Sequence, residues 1–438
     1  MPDAAGAALL ALLGQLEQSE RWPPARLHAA QNRQLAATLA HARATVPAYR
    51  ETLAGLDLTP AALDRGAFTA VPLLTRARVQ DLGDALHSTA VPASHGPRLS
   101  FPTSGSTGRP LTAWGTGLTQ LFAGAINLRD HRWHRRDVTA RFGAIRTKVE
   151  PGTQPDWGGA PGAAWHTGPA VTFPITRPLE EQLDWLLAQR PGYLISHPSN
   201  LAGLLALSAR RGVRPDGLRE VLSFGEAVPP GLRERCARDW HAAFTDRYTC
   251  EEAAYLALEC PDVPGHYHVQ AEHVRVEVLD DAGAPCPPGV PGRVAITTLH
   301  NHAMPLVRYL IGDWASAGPA CACGRGLPVL TAIHGRVRNL LRLPDGRRVW
   351  PSFPAEDWLA IAPVRQFQLR QTAPRRIAVQ LALAHGVLDD GQRAALTAML
   401  RARLSHDFDI HFEVVAGIAP GPGGKFEDFV CELPDAPD

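Results

Sequence analysis

The residues best suited to chemistry form a short run of hydroxyls and glycines, Thr-Ser-Gly-Ser-Thr-Gly-Arg-Pro, at positions 103–110. Such a run can fold tightly and direct backbone N–H groups and hydroxyls at a single anion. It is not a Walker loop, because the Gly-x-x-x-x-Gly-Lys-Ser/Thr order is absent. The alternative is an ordinary surface turn. The pattern predicts a phosphate-binding loop made of Thr103, Ser104, Gly105, Ser106, Thr107 and Gly108.

Lysine is rare in this chain: of 44 basic residues only Lys148 and Lys425 are lysines. An ammonium is a compact point charge, and arginine does not replace it where one oxygen must be met end-on. Lys425 lies in a glycine-rich segment, Gly-Pro-Gly-Gly-Lys-Phe, near the C-terminus, which makes it a candidate functional residue. Lys148 lies in a segment that reads as strand, and we assign it no role.

Cysteine and histidine recur in two turn-rich segments that could hold a metal. Cys260 opens Cys-Pro-Asp-Val-Pro-Gly-His-Tyr-His, and Cys321-Ala-Cys323 follows about sixty residues later. Three thiolates and one imidazole suit a tetrahedral structural zinc site. His268 is the preferred nitrogen ligand, because the strand that follows would hold it rigidly, and His266 is the alternate. The other interpretation is three unrelated buried thiols and two solvated imidazoles.

Composition excludes several classes of protein. A formal net charge of +1 over 438 residues offers no basic field for nucleic acid or for an anionic membrane. No apolar run approaches the ~20 residues that a membrane span needs. Seven cysteines without a recognisable secretion signal argue against a disulfide framework. We therefore expect a cytoplasmic protein whose anionic ligands are held by a local site. A homodimer is left open.

The elements that must position these residues can be read along the chain. Apolar residues at helical spacing predict helices over residues 5–55. Short strands alternate with helical stretches around 215–262, including a strand segment at 220–225 and a helix at 230–241, which predicts β-α-β units and a layered sheet. Antiparallel hairpins are predicted over 272–300 and, turned by Asp345-Gly346, over 339–350.

Taken in order, these landmarks resemble the phenylacetate-CoA ligase branch of the adenylate-forming (acyl-CoA synthetase) superfamily, including its short members from capsule and exopolysaccharide clusters. The likeness covers nearly the whole chain. Any one motif is weak, but six in the family order are a specific signal. The matching segments are Thr103–Pro110, Ser223-Phe-Gly-Glu-Ala, Asp246-Arg-Tyr-Thr-Cys-Glu-Glu, Pro305-Leu-Val-Arg-Tyr-Leu-Ile-Gly-Asp, Gly335-Arg336 and Gly424-Lys425.

The resemblance implies roles for single residues. Gly225, Glu226 and Ala227 would border adenine, and Tyr248 would stack on it. Asp313 would accept the ribose hydroxyls with support from Arg336. Glu252 would bind Mg²⁺, with Glu251 as the alternate. Lys425 would be the catalytic lysine, and Arg338 the hinge. Taken singly, Tyr248, Asp313 and Arg336 could equally be a core tyrosine, a turn aspartate and a surface arginine.

Several positions depart from the family pattern. Arg109 stands where the phosphate loop commonly has lysine, and Arg338 stands where the hinge usually has aspartate or lysine. In the Tyr-Gly-x-Thr-Glu motif, Thr249 and Glu251 replace the glycine and the threonine. The altered motif means that activity has to be tested directly.

The sequence thus predicts an α/β fold with an α+β C-terminal part: a large adenylation domain over residues 1–336 and a small mobile domain over 337–438. The implied reaction joins a small carboxylic acid to ATP as acyl-AMP and passes the acyl group to a thiol, most simply CoA. Within enzymes, the alternatives are transfer to a carrier-protein thiol, an amine or a hydroxyl, or an adenylyltransferase. Outside enzymes, the alternative is a zinc-stabilised nucleotide-binding assembly protein.

Overall fold

The structure is a computed structural model that describes residues 2–102, 112–336, 340–349, 351, 353, 355–419 and 426–433. The predicted phosphate loop (Thr103–Gly108, with Arg109), Arg338 and Lys425 lie outside these residues.

Helices form where the sequence supplies caps and apolar periodicity. Leu27, Leu35, Leu39 and Ala42 recur along one face of the second helix and are buried, as the helical spacing predicts. The helices are α1 Ala4–Ser19, α2 Pro24–Thr45, α3 Pro47–Thr52, α4 Pro60–Asp64, α5 Arg76–Leu82, α6 Gly117–Trp133, α7 Gly159–Ala164, α8 Leu179–Gln189, α9 Pro198–Arg211, α10 Leu232–Arg235 (continued by a π-helical turn, Cys236–Trp240), α11 Ala355–Leu359 and α12 Asp390–Leu404.

Strands make up the rest of the regular structure. They are β1 Arg98–Pro102, β2 Thr112–Thr116, β3 Phe142–Arg146, β4 Gly152–Gln154, β5 Ala170–Pro174, β6 Tyr193–Ser196, β7 Glu220–Phe224, β8 Ala243–Cys250, β9 Ala254–Glu259, β10 Tyr267–Val269, β11 Val274–Leu279, β12 Pro291–Thr298, β13 Tyr309–Ala317, β14 Val329–Arg336, β15 Leu341–Arg342, β16 Arg348–Val349, β17 Val364–Ala373, β18 Arg376–Leu383, β19 Asp409–Val414 and β20 Phe429–Cys431.

One large sheet organises the first three quarters of the described chain. Its order is β11-β12-β13-β14-β10-β9-β8-β7-β6-β3-β5-β4. The central strands β5, β3, β6, β7 and β8 are parallel, and the pairs outside them are antiparallel. β6 and β7 are buried nearly throughout, as expected for parallel strands covered on both faces. Ligands of such sheets bind outside the carboxyl ends of the parallel strands.

A second, four-stranded sheet forms the C-terminal part, in the order β19-β18-β17-β20. It carries its own apolar core, built from buried residues between 341 and 431 that include Trp358, Leu396 and Phe429. Helix α12 packs its leucines into this core and starts at a capping box formed by Asp389 and Gln392.

The predicted fold class is confirmed, and so are most of the predicted elements. β7, the β11–β12 pair and the β15–β16 pair occur where the sequence predicts them. The prediction for Lys148 is wrong: β3 ends at Arg146, and Lys148 has a left-handed backbone with φ +56°, which an extended strand cannot accommodate.

No helix among the described residues is both long enough and apolar enough to cross a membrane.

Candidate active site and candidate metal centre

A cavity of about 1750 Å³ opens at the carboxyl edge of the parallel strands. Residues at or just beyond three strand ends line it: Arg146 after β3, His197 after β6 and Gly225 after β7. Residues of the C-terminal part, Phe426 among them, line it from the other side. The cavity is therefore enclosed by both sheets and is large enough for a nucleotide together with a second ligand.

The segment after β7 connects these two sides. Gly225 has φ +77°, a conformation that glycine adopts without strain, and it turns the chain out of the sheet. The next residue, Glu226, accepts a hydrogen bond from the backbone N–H of Ser199 in the first turn of α9 (3.0 Å) and another from the N–H of Phe426 (3.1 Å). Ala227 is exposed and lines the cavity. Glu226 thus holds the residue that follows Lys425 at the cavity.

Asp313 and Arg336 come together because β13 pairs with β14 in a register that sets them opposite each other, and Tyr248 contacts Asp313 from β8. The hydroxyl of Tyr248 donates to Asp313 Oδ2 (2.9 Å), and Arg336 Nε lies 3.8 Å from Asp313 Oδ1. All three residues line the cavity, although Tyr248 is only 6% exposed. Burial and the neighbouring Asp313 carboxylate raise the pKa of Tyr248 well above its usual value, so this hydroxyl stays a donor.

Glu252 and Glu251 follow β8 and differ in exposure. Glu251 is exposed, whereas the side chain of Glu252 is 9% exposed and its Oε1 lies 3.8 Å from Arg76 Nη1 and 3.5 Å from the hydroxyl of Tyr309. Burial raises the pKa of the Glu252 carboxyl, and Arg76 opposes that effect. Both glutamates line the cavity, and Glu252 is the one whose carboxylate lies beside Arg76 and Tyr309.

Sequence reasoning missed Arg76 and Asp246. Arg76 is one arginine among many in an Arg-rich chain, and no motif marks it. Asp246 is a buried residue of the cavity lining, where it accepts hydrogen bonds from Ser223 Oγ (2.5 Å) and from the hydroxyl of Tyr267 (3.0 Å). Burial raises the pKa of Asp246 to about 7, and the nearby Glu259 adds to the shift. The sequence signal that could have identified Asp246 is its place in the Asp-Arg-Tyr segment, one of the motifs that match the family.

A second polar centre lies away from the cavity lining. The ligand atoms of Cys260, His268, Cys321 and Cys323 all lie within 4.8 Å of one another. Cys260 Sγ and Cys321 Sγ are 3.9 Å apart, and Cys323 Sγ is 3.3 Å from His268 Nε2. Neighbouring ligand atoms of a tetrahedral zinc ion are about 3.6–3.8 Å apart, from Zn–S of about 2.3 Å and Zn–N of about 2.0–2.1 Å. The spacing and the donor set both fit such an ion.

Local structure explains how this candidate metal centre forms. β10 carries His268 and pairs with β9 and β14, which fixes the ring between the two cysteine-bearing segments. Burial lowers the pKa of His268 to about 4, which leaves the imidazole neutral and able to donate a lone pair. His266 is not part of the cluster; its backbone carbonyl instead accepts from the N–H of Cys260 (2.7 Å). Of the two histidines weighed, the fold brings His268 to the cysteines.

The predicted phosphate loop can be located only through its neighbours. β1 and β2 are antiparallel partners from Arg98 opposite Thr116 to Pro102 opposite Thr112. Thr103 to Gly108 lie between these strands in sequence but outside the described residues, as do Arg338 and Lys425.

The sequence is similar to those of several curated enzymes. No family model matches the chain. A phenylacetate-coenzyme A ligase of Thermus thermophilus is 28% identical over 355 residues, which cover 79% of this chain and 78% of the relative. The enzyme of the same name from Escherichia coli is 25% identical over 424 residues, covering 91% and 93%.

Solved structures share the fold at lower identity. A 2-hydroxyisobutyryl-CoA ligase in its postadenylation state, in complex with an acyl-AMP, superposes with a TM-score of 0.74 at 18% identity and covers 95% of this chain and 92% of its own. A benzoate-CoA ligase from Burkholderia xenovorans gives a TM-score of 0.54 at 14% identity, with coverage of 81% and 78%. By sequence, the chain is similar to curated phenylacetate-CoA ligases, and it shares the fold of the solved 2-hydroxyisobutyryl-CoA ligase.

Proposed function

We propose that this chain is an AMP-forming acid–thiol ligase. In the first half-reaction the carboxylate of a small acid attacks the α-phosphorus of ATP, which forms acyl-AMP and releases pyrophosphate. In the second, a thiol attacks the acyl carbon, which forms a thioester and releases AMP. The observation that carries the proposal is the convergence of Tyr248, Asp313, Glu252 and the Glu226–Phe426 hydrogen bond on one cavity. The similarity to curated phenylacetate-CoA ligases supports it independently.

Asp313 is suited to the ribose of ATP. A carboxylate has two oxygens and can accept from both ribose hydroxyls. Tyr248 already donates to one of these oxygens and Arg336 lies near the other, so the carboxylate is oriented before the nucleotide binds. The ring of Tyr248 borders the same cavity and would face the adenine, next to Gly225, Glu226 and Ala227.

Glu252 is the proposed ligand of Mg²⁺, since its carboxylate supplies hard oxygen donors at the cavity wall. When bound, the ion would neutralise the charge that accumulates on the phosphate oxygens. Arg76 and Tyr309 hold the Glu252 carboxylate in position. Glu251, exposed beside it, remains the alternate ligand.

Lys425 is the proposed catalytic lysine of the first half-reaction. Its neighbour Phe426 is hydrogen-bonded to Glu226 at the proposed adenine site, which supports the role proposed for Lys425. An ammonium there would bridge the acid and the phosphate while charge builds up. The loop from Thr103 to Gly108 would hold the departing phosphates through hydroxyls and amides.

We further propose that residues 1–336 and 337–438 are separate domains, with a hinge at Arg338. The C-terminal sheet has an apolar core of its own, which supports the division. Rotation about the hinge after adenylation would carry Lys425 away and admit the thiol. Cys260, His268, Cys321 and Cys323 would hold a structural zinc ion remote from this chemistry.

The proposal is tested by ATP–pyrophosphate exchange with a panel of aryl and alkyl acids, followed by product analysis with and without CoA. Acid-dependent exchange and CoA-dependent thioester formation are expected. Exchange without any CoA product would indicate that the acyl group is transferred to a carrier-protein thiol, an amine or a hydroxyl. Nucleotide binding without exchange for any acid would contradict the enzymatic assignment and leave an assembly protein.

A further inference from the structure

His131 is a buried, cavity-lining side chain that the proposed chemistry does not use. It lies in the last turn of α6, is 4% exposed, and contributes to the cavity wall. Its ring lies 5.2 Å from that of Trp157 and 6.4 Å from that of Phe142, while those two rings are 4.9 Å apart. All three line the cavity, so this part of its wall is an aromatic surface with one imidazole.

The protonation of this imidazole is set by Arg136. Arg136 Nη1 lies 3.4 Å from His131 Nδ1, and a guanidinium can only donate, so Nδ1 is the acceptor. Arg136 is itself fixed by Asp130 Oδ2 (2.5 Å) and by both oxygens of Glu220 (2.7 and 2.8 Å). The proton of neutral His131 must therefore be on Nε2.

His131 also stays neutral at physiological pH. Burial lowers the pKa of His131 well below its usual value, and the guanidinium groups of Arg136 and Arg247 lower it further, against the opposing charge of Asp130. The imidazole is consequently a permanent single donor through Nε2 and not a titrating group.

No acceptor for this N–H occurs among the described residues, since the contact with Arg136 is the one side-chain hydrogen bond of His131 there. Two other side-chain donors that line the cavity are already paired. Trp157 Nε1 donates to the carbonyl of Ala140 (2.8 Å), and Asn127, one turn before His131 on α6, donates to the hydroxyl of Tyr255 (2.9 Å). The Nε2–H donor of His131 therefore has no partner among the described residues and is available to a ligand acceptor at the cavity wall.

We propose that His131 Nε2–H is a specificity-determining donor for the acid substrate. The inference rests on the proposed function. It assigns to this chain an aromatic or similarly planar carboxylic acid whose body lies against Trp157 and Phe142 and carries a hydrogen-bond acceptor such as a hydroxyl. An unsubstituted aryl acid would leave the donor buried and unpaired, which disfavours it by about 10- to 100-fold.

The test compares acids that differ only in the acceptor. Adenylation by purified wild-type protein is measured by pyrophosphate exchange with phenylacetate and its 2-, 3- and 4-hydroxy derivatives, and with benzoate and the corresponding hydroxybenzoates. At least one hydroxy acid should exceed its parent acid in kcat/KM by about 10-fold or more. Equal kcat/KM for all members of both series would overturn the inference while leaving the proposed function intact.

Variants then assign the preference to this side chain. His131→Phe keeps a flat ring but removes the donor, so the ratio of kcat/KM for the preferred hydroxy acid to kcat/KM for its unsubstituted parent should fall to about 1. His131→Gln, which retains both a donor and an acceptor for Arg136, should recover part of the preference. His134→Gln is the matched control, because His134 follows the same helix and is not among the described residues that line the cavity.

The outcomes separate the two proposals. A preference that persists unchanged in folded His131→Phe would overturn the role of His131. Absence of exchange with every acid in the wild type would contradict the proposed function, and the inference with it. Thermal unfolding of each variant shows whether a lost preference comes from a damaged fold.

Discussion

The candidate metal centre and the cavity are both polar, but they satisfy their polar groups in opposite ways. In the metal centre, four ligand atoms face one another within 4.8 Å, and three of the four residues are buried. In the cavity, Glu226, Glu252 and Asp313 each have protein partners on one side and border open space on the other. The first arrangement is closed on itself, and the second is complete only with a ligand.

This difference separates stability from activity. Removing a member of a closed, buried cluster leaves its partners without a ligand, so the cost falls on folding. Removing a group that faces the cavity leaves the protein core unchanged, so the cost falls on binding or on the transition state. Each variant below should move one of the two quantities much more than the other.

The largest effect is expected at the metal centre. The double variant Cys321→Ser/Cys323→Ser should lose about one zinc per chain and about 4 kcal/mol or more of unfolding free energy, because metal binding and folding are linked. Zinc is measured by elemental analysis and stability by denaturant unfolding. Cys286→Ser, outside the cluster, is the control. If the native wild-type protein contained no zinc, the metal-site proposal would be wrong and these cysteines would be ordinary buried residues.

The next effect is expected at Lys425 and concerns rate alone. Lys425→Ala should slow acyl-AMP formation by about 10²–10³-fold, because it removes a charge that acts in the adenylation transition state. Thioester formation from pre-made acyl-AMP should be nearly unaffected, and so should the melting temperature. Equal losses in both half-reactions would contradict the two-conformation mechanism.

A loss of activity of similar size is expected in the phosphate loop. Replacing Ser106 by Val and Thr107 by Ala removes two hydroxyl donors to a charged ligand, each worth about 1.5–3 kcal/mol. Adenylation, measured by pyrophosphate exchange, should slow by about a hundredfold or more with an unchanged melting temperature. Exchange at the parental rate would indicate that residues 103–110 form an ordinary turn. The adenylation proposal would then lose one of its main supports.

The smallest effect is expected at Asp246. This residue lines the cavity, but its removal should change the unfolding free energy, so it is an exception to the contrast between cavity and metal centre. Its pKa is about 7 in the folded protein, above the value of about 3.9 expected for an unfolded chain. Its contribution is therefore fully present below about pH 4 and is lost as the pH rises through 7. Asp246→Asn should remove that loss, so the change in unfolding free energy from pH 5 to pH 8 should be more favourable than in the wild type by about 2–3 kcal/mol.

Urea unfolding of the Asp246→Asn variant at both pH values measures this effect. Asp81→Asn, an exposed aspartate of α5, is the control and should leave the pH dependence as in the wild type. Identical pH dependence in Asp246→Asn and the wild type would mean that Asp246 does not titrate in this range.

Local sequence was enough to predict much of the fold. The apolar spacing of α2 and the Asp345-Gly346 turn between β15 and β16 are short-range signals that tertiary packing only reinforced. Lys148 shows the limit of such reasoning. Its neighbours are typical of a strand, but β3 ends at Arg146 and Lys148 has a left-handed backbone. Where a strand ends depends on its pairing with other strands of the sheet, which the local sequence does not show.

The sequence by itself determined which kinds of residue each polar centre contains. The candidate metal centre has sulfur and nitrogen ligands, and the cavity has the motif residues in their family order. Which residues meet was decided by tertiary structure. β10 brings His268, and not His266, to three cysteines, and the β13–β14 register sets Asp313 beside Arg336. The pairing of Arg76 with Glu252 and the tautomer that Arg136 imposes on His131 have no local signal at all. They depend on contacts between residues far apart in the chain or on burial, and neither spacing nor composition encodes those distances.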